Sequence, residues 1–556
     1  MKIIGYHITQ SLVANSNGEV HNKAPWCDFL FADKGECIKV LYHLDYSVAC
    51  LLKMINMPEA ACKELLETSD LEYQGYTFQY IPNSWFAIKD KQTRQWAGFS
   101  NMSQYESYSL ESSGDETADA IDFAVTACLT GQKVYNTLAK LGLHPSSLTS
   151  PISAFNKEIL STIDLPTVDD MPDEAAEMAY SCCKGSWIEC FKIGHFEDTL
   201  DFDIRSAYGS ELAQLVDFRY GSWVQSKKYP LTALYGYCKG IVTIDKPFSP
   251  ILYKSNRTSF TPTGSWETVL TKNEIDFIKK WELGTFEIEE GWWWIPKRTT
   301  PNPLLEMIND LYTIKQQSSS SFEGNIIKRI ISGIWGKLIE ILPDNAQKRM
   351  LKKGEKYILN PVWAAEVETN TRLKCAEFVL SNNLQENLLS IMVDGILIKN
   401  IVQPSHNPLL SKVAGSHDQL SATGNNKAMG TWKLSHHCPS IIISSGVQAL
   451  KDKQHAGNFV LNYNWLLEQI EKRPKAKSYK ISGLSPVTLA KAISTDRFQD
   501  LGNLEEISRE IDLQCEIKRC YPVEPKNSKE MLTGQYNSIP WDVSVVQGEE
   551  LNEERR

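Results

Sequence analysis

The sequence predicts an α+β fold divided among several domains. Its 556 residues are too many for a single hydrophobic core, so two to four domains are expected. Groups of strand-like runs alternate with long helical stretches along the chain. Apolar and charged contents of 42% and 23% are those of an ordinary soluble protein. These observations favour a large mixed globular chain over a membrane, fibrous or disordered one.

The chain shows no export or membrane signal, so we expect a cytoplasmic protein without a membrane partner. The first ten residues, MKIIGYHITQ, lack the apolar core and cleavage site of a signal peptide. No run reaches the 18 or so apolar residues that a membrane helix needs. The thirteen cysteines form no CxxC pair, which favours reduced thiols. His436, His437 and Cys438 are contiguous and cannot easily converge on one zinc ion.

The charge of the chain is unevenly distributed. The formal net charge is −10, which concerns solubility more than the nature of any one site. Two runs, KRMLKKGEK (348–356) and KRPKAKSYK (472–480), each carry five Lys or Arg residues. They are either solvated loops or segments that contact nucleic-acid phosphates.

The first third of the sequence mixes short strands with two helical stretches. Strand-like runs are FLFAD (29–33), YTFQYIP (76–82) and SWFAIKD (84–90). Apolar spacing predicts helices over YSVACLLKMINM (46–57) and over residues 116–143. The segments SLTSP (147–151) and DLPTVDDMPDE (164–174) are predicted to be linkers.

Strands resume beyond these linkers and lead to a helical pair. The strand-like runs are WIECFKIG (187–194), TLDFDI (199–204), LYGYCKGIVTI (234–244) and GWWWIP (291–296). The last is interpreted as a buried aromatic strand rather than a stacking platform for bases. Helices over 303–317 and 325–342, joined by a Ser/Gly turn, predict an antiparallel pair. Another helix is predicted over 362–380, and a β-hairpin over 388–400.

Two carboxylates and a basic helical face stand out in this arrangement. Asp203 ends a strand, two residues after Asp201, and Asp394 lies at the tip of the predicted hairpin. Lys328, Ser332 and Trp335 share one helix face, with Lys315 late on the preceding helix. A strand-end Asp alone is more often a structural cap. Together, two carboxylates facing lysines favour a phosphoryl-transfer site that holds two Mg²⁺ ions about 3.5–4 Å apart.

Three segments resemble the polymerase motifs of the family B DNA polymerases. DFDIRSAYGS (201–210) resembles motif A, D-x-x-S-L-Y-P-S, with Asp203, Ser206, Tyr208 and Ser210 matching. KRIISGIWG (328–336) resembles motif B, K-x-x-x-N-S-x-Y-G, although Ser332, Gly333 and Trp335 replace Asn, Ser and Tyr. SIMVDGILI (390–398) resembles motif C with Asp394 and Gly395 matching, whereas Met392 replaces the first Asp. The motifs follow the family's order, and the resemblance covers residues 180–485.

The resemblance implies a right-hand polymerase of the viral or plasmid, protein-primed-like branch, preceded by an RNase H-like exonuclease-type domain. The implied partners are a DNA primer-template, dNTPs and, as an open question, a priming protein, in a bacterial host or a virus-infected cell. The implied divisions are a degenerate exonuclease-like domain (1–145), a linker and palm entry (146–198), palm with motif A (199–300), fingers (301–342), palm with motif C (343–440), and thumb and tail (441–556).

The resemblance also assigns roles to individual residues. Asp203 and Asp394 would bind two Mg²⁺ ions, with Mn²⁺ as a substitute. Lys315 and Lys328 would stabilise the β- and γ-phosphates, and Ser206 and Ser332 would lie beside the nucleotide. Tyr208 would exclude a ribose 2′-hydroxyl, and Trp335 would cover the nascent base pair. The residues implied to grip DNA are Lys433, Lys472, Arg473, Lys475 and Lys477.

The N-terminal segments resemble exonuclease motifs whose acidic residues are replaced. In YHITQ (6–10), His7 and Thr9 stand where both acids belong. In YHLDYSVACLL (42–52), His43 and Ser47 replace Asn and Asp, and in FAVTACLT (123–130), Phe123 and Ala127 replace Tyr and Asp. A metal-dependent nuclease needs those carboxylates. This pattern predicts an exonuclease fold without activity, and an unrelated N-terminal domain is the alternative.

Two other functions remain open for the same fold. The altered motif residues, Met392 above all, are compatible with an inactive polymerase-like scaffold that binds nucleic acid. Against it, Asp203, Asp394, Lys315 and Lys328 all keep the chemical type that catalysis needs. The second alternative is template- or primer-independent synthesis on the same palm, which the sequence does not separate from copying.

Overall fold

The structure is a computed structural model that describes residues 1–22, 26–31, 37–106, 113–255, 258–341, 357–400, 428–452, 461–513 and 516–548. The predicted basic run 348–356 lies outside these described residues. None of the described helices is both long and apolar enough to cross a lipid bilayer.

Strands and helices occur throughout the described chain. The strands are β1 (Lys2–Ile8), β2 (Leu12–Asn15), β3 (Val20–Asn22), β4 (Cys37–Leu41), β5 (Asp70–Tyr73), β6 (Tyr76–Ile81), β7 (Trp85–Asp90), β8 (Trp96–Asn101), β9 (Ile188–Cys190), β10 (Lys192–Ile204), β11 (Gly221–Gln225), β12 (Tyr235–Ile244), β13 (Tyr253–Lys254), β14 (Ser259–Phe260), β15 (Gly264–Thr271), β16 (Gly284–Pro296), β17 (Leu388–Met392), β18 (Gly395–Lys399), β19 (Trp432–Ser444), β20 (Val447–Leu450), β21 (Ser478–Pro486), β22 (Leu504–Asp512) and β23 (Gln535–Asn537). The α-helices are α1 (Trp26–Phe31), α2 (Leu44–Met54), α3 (Glu59–Thr68), α4 (Glu116–Lys140), α5 (Pro151–Glu158), α6 (Asp173–Ser181), α7 (Ala207–Gln214), α8 (Lys272–Lys280), α9 (Leu305–Gln316), α10 (Ser321–Ile339), α11 (Pro361–Ser381), α12 (Tyr463–Lys472), α13 (Leu489–Ser494), α14 (Ser528–Thr533) and α15 (Val543–Gly548). Short 3₁₀ helices span Leu160–Thr162, Val168–Asp170, Phe218–Tyr220 and Phe498–Asp500.

The N-terminal unit, residues 1–145, is built on an eight-stranded mixed sheet. Its order is β3-β2-β1-β4-β8-β7-β6-β5, with β4 parallel to both β1 and β8. Helix α4 packs so closely on β1 that a Cβ at Gly5 would lie 1.8 Å from the Ala124 carbonyl oxygen. The strand predicted over FLFAD (29–33) is wrong, because residues up to Phe31 belong to α1. Phe29 and Leu30 are buried in the core beneath this sheet. A short apolar run of this kind is compatible with either a short helix or a strand.

The central sheet is antiparallel and carries the predicted acidic strand and hairpin. Its order is β20-β19-β10-β18-β17-β9, and β23 also pairs with β10. Helix α11 packs against this sheet, and both contribute to one apolar core. Nearly every turn of α11 is buried, so it lies between elements instead of facing water. The predicted strands, hairpin and 362–380 helix are confirmed.

A second, four-stranded sheet contains the tryptophan-rich segment. Its order is β11-β16-β12-β15, all antiparallel. Trp293 and Trp294 are fully buried on β16, and the Trp293 indole N–H donates to the Ser226 carbonyl at 2.8 Å. The interpretation of GWWWIP as a buried strand is therefore confirmed.

The predicted helical pair consists of α9 and α10. The serine run separates them, and the Ser320 hydroxyl caps α10 by accepting from the Glu323 N–H at 3.2 Å. Buried isoleucines at helical spacing fix the inner face of α10, which leaves Lys328 and Ser332 exposed on the opposite side.

The C-terminal part forms an arm. Strands β21 and β22 pair antiparallel over nine residues each. The base of this hairpin packs with α12 against β19 and β20. Its far end, residues 487–503, carries α13 and the 3₁₀ helix Phe498–Asp500.

Candidate active site

Strand register brings the two predicted aspartates together. Asp203 on β10 lies opposite Gly395 on β18. Gly395 directly follows Asp394, which lies at the hairpin turn. The Ile204 N–H donates to the Asp394 carbonyl oxygen at 3.1 Å, which ties the turn to the end of β10. The two carboxylates therefore lie on adjacent strands at one edge of the central sheet, as predicted.

The electrostatics of the pair follow from its burial. Burial, followed by the nearby charge of Asp203, raises the pKa of the Asp394 carboxyl to about 6. Burial also lowers the pKa of Lys315, with further lowering by the charges of Lys328 and Lys433. Mutual influence of this kind requires that both acidic and basic groups face the same space.

That space is a cavity of about 460 Å³ between the central sheet and the helical pair. Eight of the predicted site residues line it: Asp203, Ser206, Tyr208, Lys315, Lys328, Ser332, Asp394 and Lys433. Two carboxylates on one wall and lysines on the other suit a ligand that is anionic and binds a divalent cation.

Lys433, which the resemblance implies would grip DNA, lies directly beside Asp203, and its contact with DNA remains a prediction. It lies on β19 opposite Asp203, and its Nζ is 2.8 Å from Asp203 Oδ2. A residue implied to grip DNA thus directly neutralises a candidate metal ligand. The sequence did not indicate this pair, because it depends on the register of two strands separated by more than two hundred residues.

Arg205 is a site residue that the motif comparison missed. It lines the cavity two residues beyond Asp203, and its backbone N–H donates to the Thr431 carbonyl at 2.9 Å. Among the described residues, its buried Nε has no hydrogen-bond partner. The only signal in the sequence was the position of Arg205 within DFDIRSAYGS. Motif A specifies no residue type at that position.

Tyr208 and Trp335 contact each other edge to face. Their ring centroids are 4.9 Å apart at an interplanar angle of 65°, and the Trp335 indole N–H donates to the Ala364 carbonyl at 3.1 Å. Trp335 is not among the residues lining the cavity, whereas Tyr208 is. The indole is thus placed to hold the tyrosine ring, and its implied role over a base pair remains a prediction.

The hairpin turn beside Asp394 has an unusual backbone. Val393 has a φ of +63°, a conformation that β-branched residues rarely adopt. Its N–H donates to the Trp187 carbonyl at 2.8 Å. Met392 pairs with Gly395 and Ile188 in the sheet, so the strand geometry persists where the motif's first Asp is missing.

The carboxylate pair suits magnesium. Carboxylate oxygens are preferred Mg²⁺ ligands, and such sites commonly combine one or two carboxylates with substrate phosphates. Burial first, and then repulsion from Asp203, raises the pKa of Asp394, and a divalent cation would relieve that repulsion. Within the described residues, no group of three or more His, Cys, Asp or Glu side chains is placed to hold a metal, so oxygens of water or of substrate phosphates would complete the coordination.

The predicted basic run 472–480 lies elsewhere. Lys472 ends α12 and pairs with Glu468 one turn earlier. The Arg473 guanidinium lies 5.1 Å from the centre of the Tyr479 ring. Lys475 and Lys477 are exposed in the loop before β21. None of the four lines the cavity, and their contact with DNA remains a prediction.

Residues from the three altered exonuclease motifs also come together. His7 is buried with its ring 4.9 Å from that of Phe123, and the Ile8 N–H donates to the Ser47 hydroxyl at 3.4 Å. Burial, followed by the charge of His43, lowers the pKa of His7 to about 3. A neutral aromatic cluster thus stands at this position. The Thr9 hydroxyl donates to Glu116 at 2.6 Å beside it.

Comparison with known proteins identifies the fold but no sequence relative. No protein-family model matches the chain, and no curated protein matches it. Phi29 DNA polymerase complexed with primer-template DNA and incoming nucleotide substrates matches with a TM-score of 0.60 at 11% identity, covering 92% of this chain and 100% of that chain. The complex of phi29 DNA polymerase with single-stranded DNA matches with a TM-score of 0.58 at 11% identity, over 92% and 100% of the two chains.

A third structure, the orthorhombic crystal form of phi29 DNA polymerase, matches with a TM-score of 0.54 at 10% identity over 97% of this chain and 99% of that one. The predicted α+β right-hand polymerase fold is therefore confirmed, and so is the resemblance to the phi29-like branch at the level of fold. The names palm for the central sheet, fingers for α9 and α10, and thumb for the C-terminal arm follow the predicted divisions, which remain predictions.

Proposed function

We propose that this protein is a DNA-directed DNA polymerase that adds dNTPs to a primer 3′-hydroxyl. The observation that carries the proposal is the placement of Asp203 and Asp394 on adjacent strands, facing Lys315 and Lys328 across one cavity. The structurally similar phi29 polymerase was captured with primer-template DNA and incoming nucleotides, which supports the same substrates here. A priming protein as partner, and a virus or plasmid as source, belong to this proposal.

The residues of the cavity have separate roles in this mechanism. Asp203 and Asp394 would hold Mg²⁺, which supplies stabilisation of charge on the attacking and leaving oxygens when bound. Lys315 and Lys328 bind and neutralise the triphosphate from the fingers side. Tyr208, fixed by Trp335, lies under the sugar and orients it. Lys433, whose ammonium pairs with Asp203, would have to give up that carboxylate for Asp203 to hold the metal.

Primer extension tests the proposal directly. A labelled primer on a defined template is incubated with dNTPs and Mg²⁺ or Mn²⁺. Because charge stabilisation of this kind is worth several kcal/mol, Asp203→Asn combined with Asp394→Asn should lower extension by about a hundredfold or more. Asp198→Asn on the same strand is the matched control, since Asp198 pairs with His437 away from the cavity. Equal extension by the double variant and the control would contradict the assignment.

We further propose that the N-terminal unit does not degrade DNA. His7, Thr9, Ser47 and Ala127 stand where metal-binding acids would be needed, and the His7 ring lies among the rings of Phe123 and Tyr46. The experiment incubates a single-stranded DNA, labelled at its 5′ end, with Mg²⁺ or Mn²⁺ and the Asp203→Asn protein, which removes any contribution from the palm. Shortening of the DNA by that variant would contradict the proposal.

An inactive scaffold is the second candidate, and Met392 is the observation that favours it. With Met392 in place of a third acid, and with Lys433 already paired to Asp203, the site could bind DNA without chemistry. Intact DNA binding without extension under either metal would support this candidate. Extension on homopolymer templates separates copying from template-independent synthesis, because a copying enzyme adds only the complementary nucleotide.

A further inference from the structure

The tip of the C-terminal arm is buried against the N-terminal unit. Val487, Leu489, Ala492 and Leu501 are each at most 1% exposed, and they share one apolar core with residues of α2 and α3. At its closest point Gly502, with a φ of +74°, would place a Cβ 3.2 Å from Cys50 Sγ. The contact between the tip and the N-terminal unit is therefore a close-packed apolar core and not a superficial contact.

Polar contacts fix the position of this docking. The Gln10 side-chain amide donates to Asn503 Oδ1 at 2.8 Å. Lys53 Nζ donates to the same oxygen at 3.1 Å and to the Gln499 carbonyl at 3.3 Å. Two elements of the N-terminal unit thus converge on one asparagine at the base of the tip.

The stretch of the arm between its base and its tip stands free. The base is buried, with Tyr479 and Ile511 in one core with Ile441 and Ile443 of the palm. In contrast, Leu484 is 63% and Leu504 is 49% exposed. Nine residues per strand at about 3.3 Å each span about 30 Å. An isolated two-stranded hairpin is only marginally stable, so an arm of this length requires anchoring at both ends.

The N-terminal unit is also joined to the fingers, which closes a circuit of contacts. Lys140 Nζ is 2.9 Å from Glu323 Oε1 on α10. The Arg329 guanidinium, also on α10, donates to the Gln104 carbonyl and lies 5.2 Å from the centre of the Tyr105 ring. Contacts therefore run from palm to fingers, to the N-terminal unit, to the arm tip, and back along the arm to the palm.

The arm leaves the palm well behind the site. Strand β19 runs from Lys433 beside Asp203 to Ile443 at the base of the arm, ten residues that span about 33 Å. Successive nucleotides of a DNA strand are about 3.4 Å apart. A duplex leaving the site along the palm would meet the arm after about ten base pairs.

We infer that the N-terminal unit acts as the anchor that closes the arm into a ring around the product duplex. The inference rests on the proposed polymerase function, because it takes the duplex to leave along the palm. It gives the N-terminal unit a role that needs none of the missing nuclease acids. Closure would hold the protein on DNA between successive additions, so the tip contact would set the length synthesised per binding event.

Two leucines three positions apart, Leu501 and Leu504, provide the first test. Leu501→Asp places a charge in the docked core, whereas Leu504→Asp, on the exposed part of the arm, is the matched control. Extension is measured in the presence of excess unlabelled DNA, so that each protein acts through one binding event. We expect Leu501→Asp to shorten products at least tenfold with single-nucleotide insertion within about twofold of wild type. Equal product lengths for the two variants would overturn the inference.

A topological experiment decides the case even if Leu501→Asp fails to fold. Gln10→Cys and Asn503→Cys, which replace a hydrogen-bonded pair, are joined by a short bismaleimide on gapped circular DNA. The cross-linked protein should stay bound to circular DNA in high salt and dissociate once that DNA is cut. The Gln10→Cys single variant, which cannot be cross-linked, should dissociate from both circular and cut DNA. Equal release from circular and linear DNA would overturn the ring. Since retention needs no nucleotide addition, loss of insertion in the wild type would count only against the proposed function.

Discussion

At the scale of single residues, the cavity shows how a site can keep its geometry while losing a ligand. Met392 holds the strand pairing that an Asp would make but offers no oxygen to a metal. Asp203 meanwhile is paired with Lys433. The site therefore has fewer anionic groups and more basic ones than two divalent cations would favour.

Restoring the missing acid is the corresponding prediction. Met392→Asp adds a carboxylate next to the turn that carries Asp394, so we expect Mg²⁺-dependent extension to become faster and the preference for Mn²⁺ to weaken. The measurement is the single-nucleotide insertion rate across a titration of each metal. Met392→Asn controls for size and polarity without the charge. An unchanged or lower rate with Mg²⁺ would show that the third acid has no function here.

Glu366 on α11 predicts a pH dependence of stability. It is 1% exposed, with the Asn273 amide donating to it at 2.8 Å. Burial raises its pKa to about 8 from an ordinary 4.5. Between these values the folded state keeps a proton that the unfolded state releases, so stability falls as pH rises. Below pH 4.5 both states are protonated, and the contribution is then constant.

Glu366→Gln isolates this effect because the amide resembles the protonated acid. In urea unfolding between pH 5 and 8, the wild type should lose stability relative to the variant by up to about 1.4 kcal/mol per pH unit. The comparison cancels the other titrating groups that the two proteins share. Parallel pH profiles for the two proteins would contradict a raised pKa at this position.

At the scale of elements, helix α10 lies between the cavity and the rest of the molecule. It contains two glycines whose surroundings differ. A Cβ at Gly333 would lie 2.9 Å from Ile152 Cβ on α5, whereas no atom of the described residues lies within 4 Å of one at Gly336. Glycine in a helix interior costs about 0.5–1 kcal/mol relative to alanine. The close contact explains glycine at the first position but not at the second.

Alanine substitutions should therefore have opposite effects. Gly336→Ala should raise the free energy of unfolding by about 0.5–1 kcal/mol, while Gly333→Ala should lower it by forcing α5 and α10 apart. Adding Ile152→Ala to Gly333→Ala should recover part of the loss in chemical denaturation. A stabilising Gly333→Ala would mean that α5 does not pack on this face.

Sequence reasoning succeeded where an element's pattern is local. The apolar periods of α9 and α10 and the apolar runs around Asp394 are local patterns, so the carboxylates and basic residues of the cavity could be named in advance. The strand prediction for FLFAD failed because a run of four apolar residues fits either a strand or the end of α1. The Asp203–Lys433 pair and the docking of Leu501 depend on contacts between distant segments, which no local period encodes.

At the scale of the whole molecule, the apolar cores do not follow the divisions suggested by the sequence. One core combines Val40 and Leu138 of the N-terminal unit with Ile330 of the fingers and Leu212 of the palm. Another places Leu501 of the arm among residues of the N-terminal unit. Each part therefore buries apolar surface that it could not cover alone, and separating the parts would expose that surface to water.

We accordingly predict that heating the whole chain gives one cooperative transition. If the N-terminal unit unfolded separately, the apolar surfaces that it buries against α10 and against the arm tip would become exposed. Its unfolding should therefore destabilise the other parts of the molecule. Calorimetry of the full chain is the measurement, with fragment 1–145 as the comparison. The fragment should melt at a lower temperature than the full chain, and Leu501→Asp should lower the transition of the full chain while Leu504→Asp leaves it unchanged. Two resolved transitions in the wild type, one matching the isolated fragment, would show instead that the N-terminal unit is an independent domain and that its two contacts contribute little to holding the molecule together.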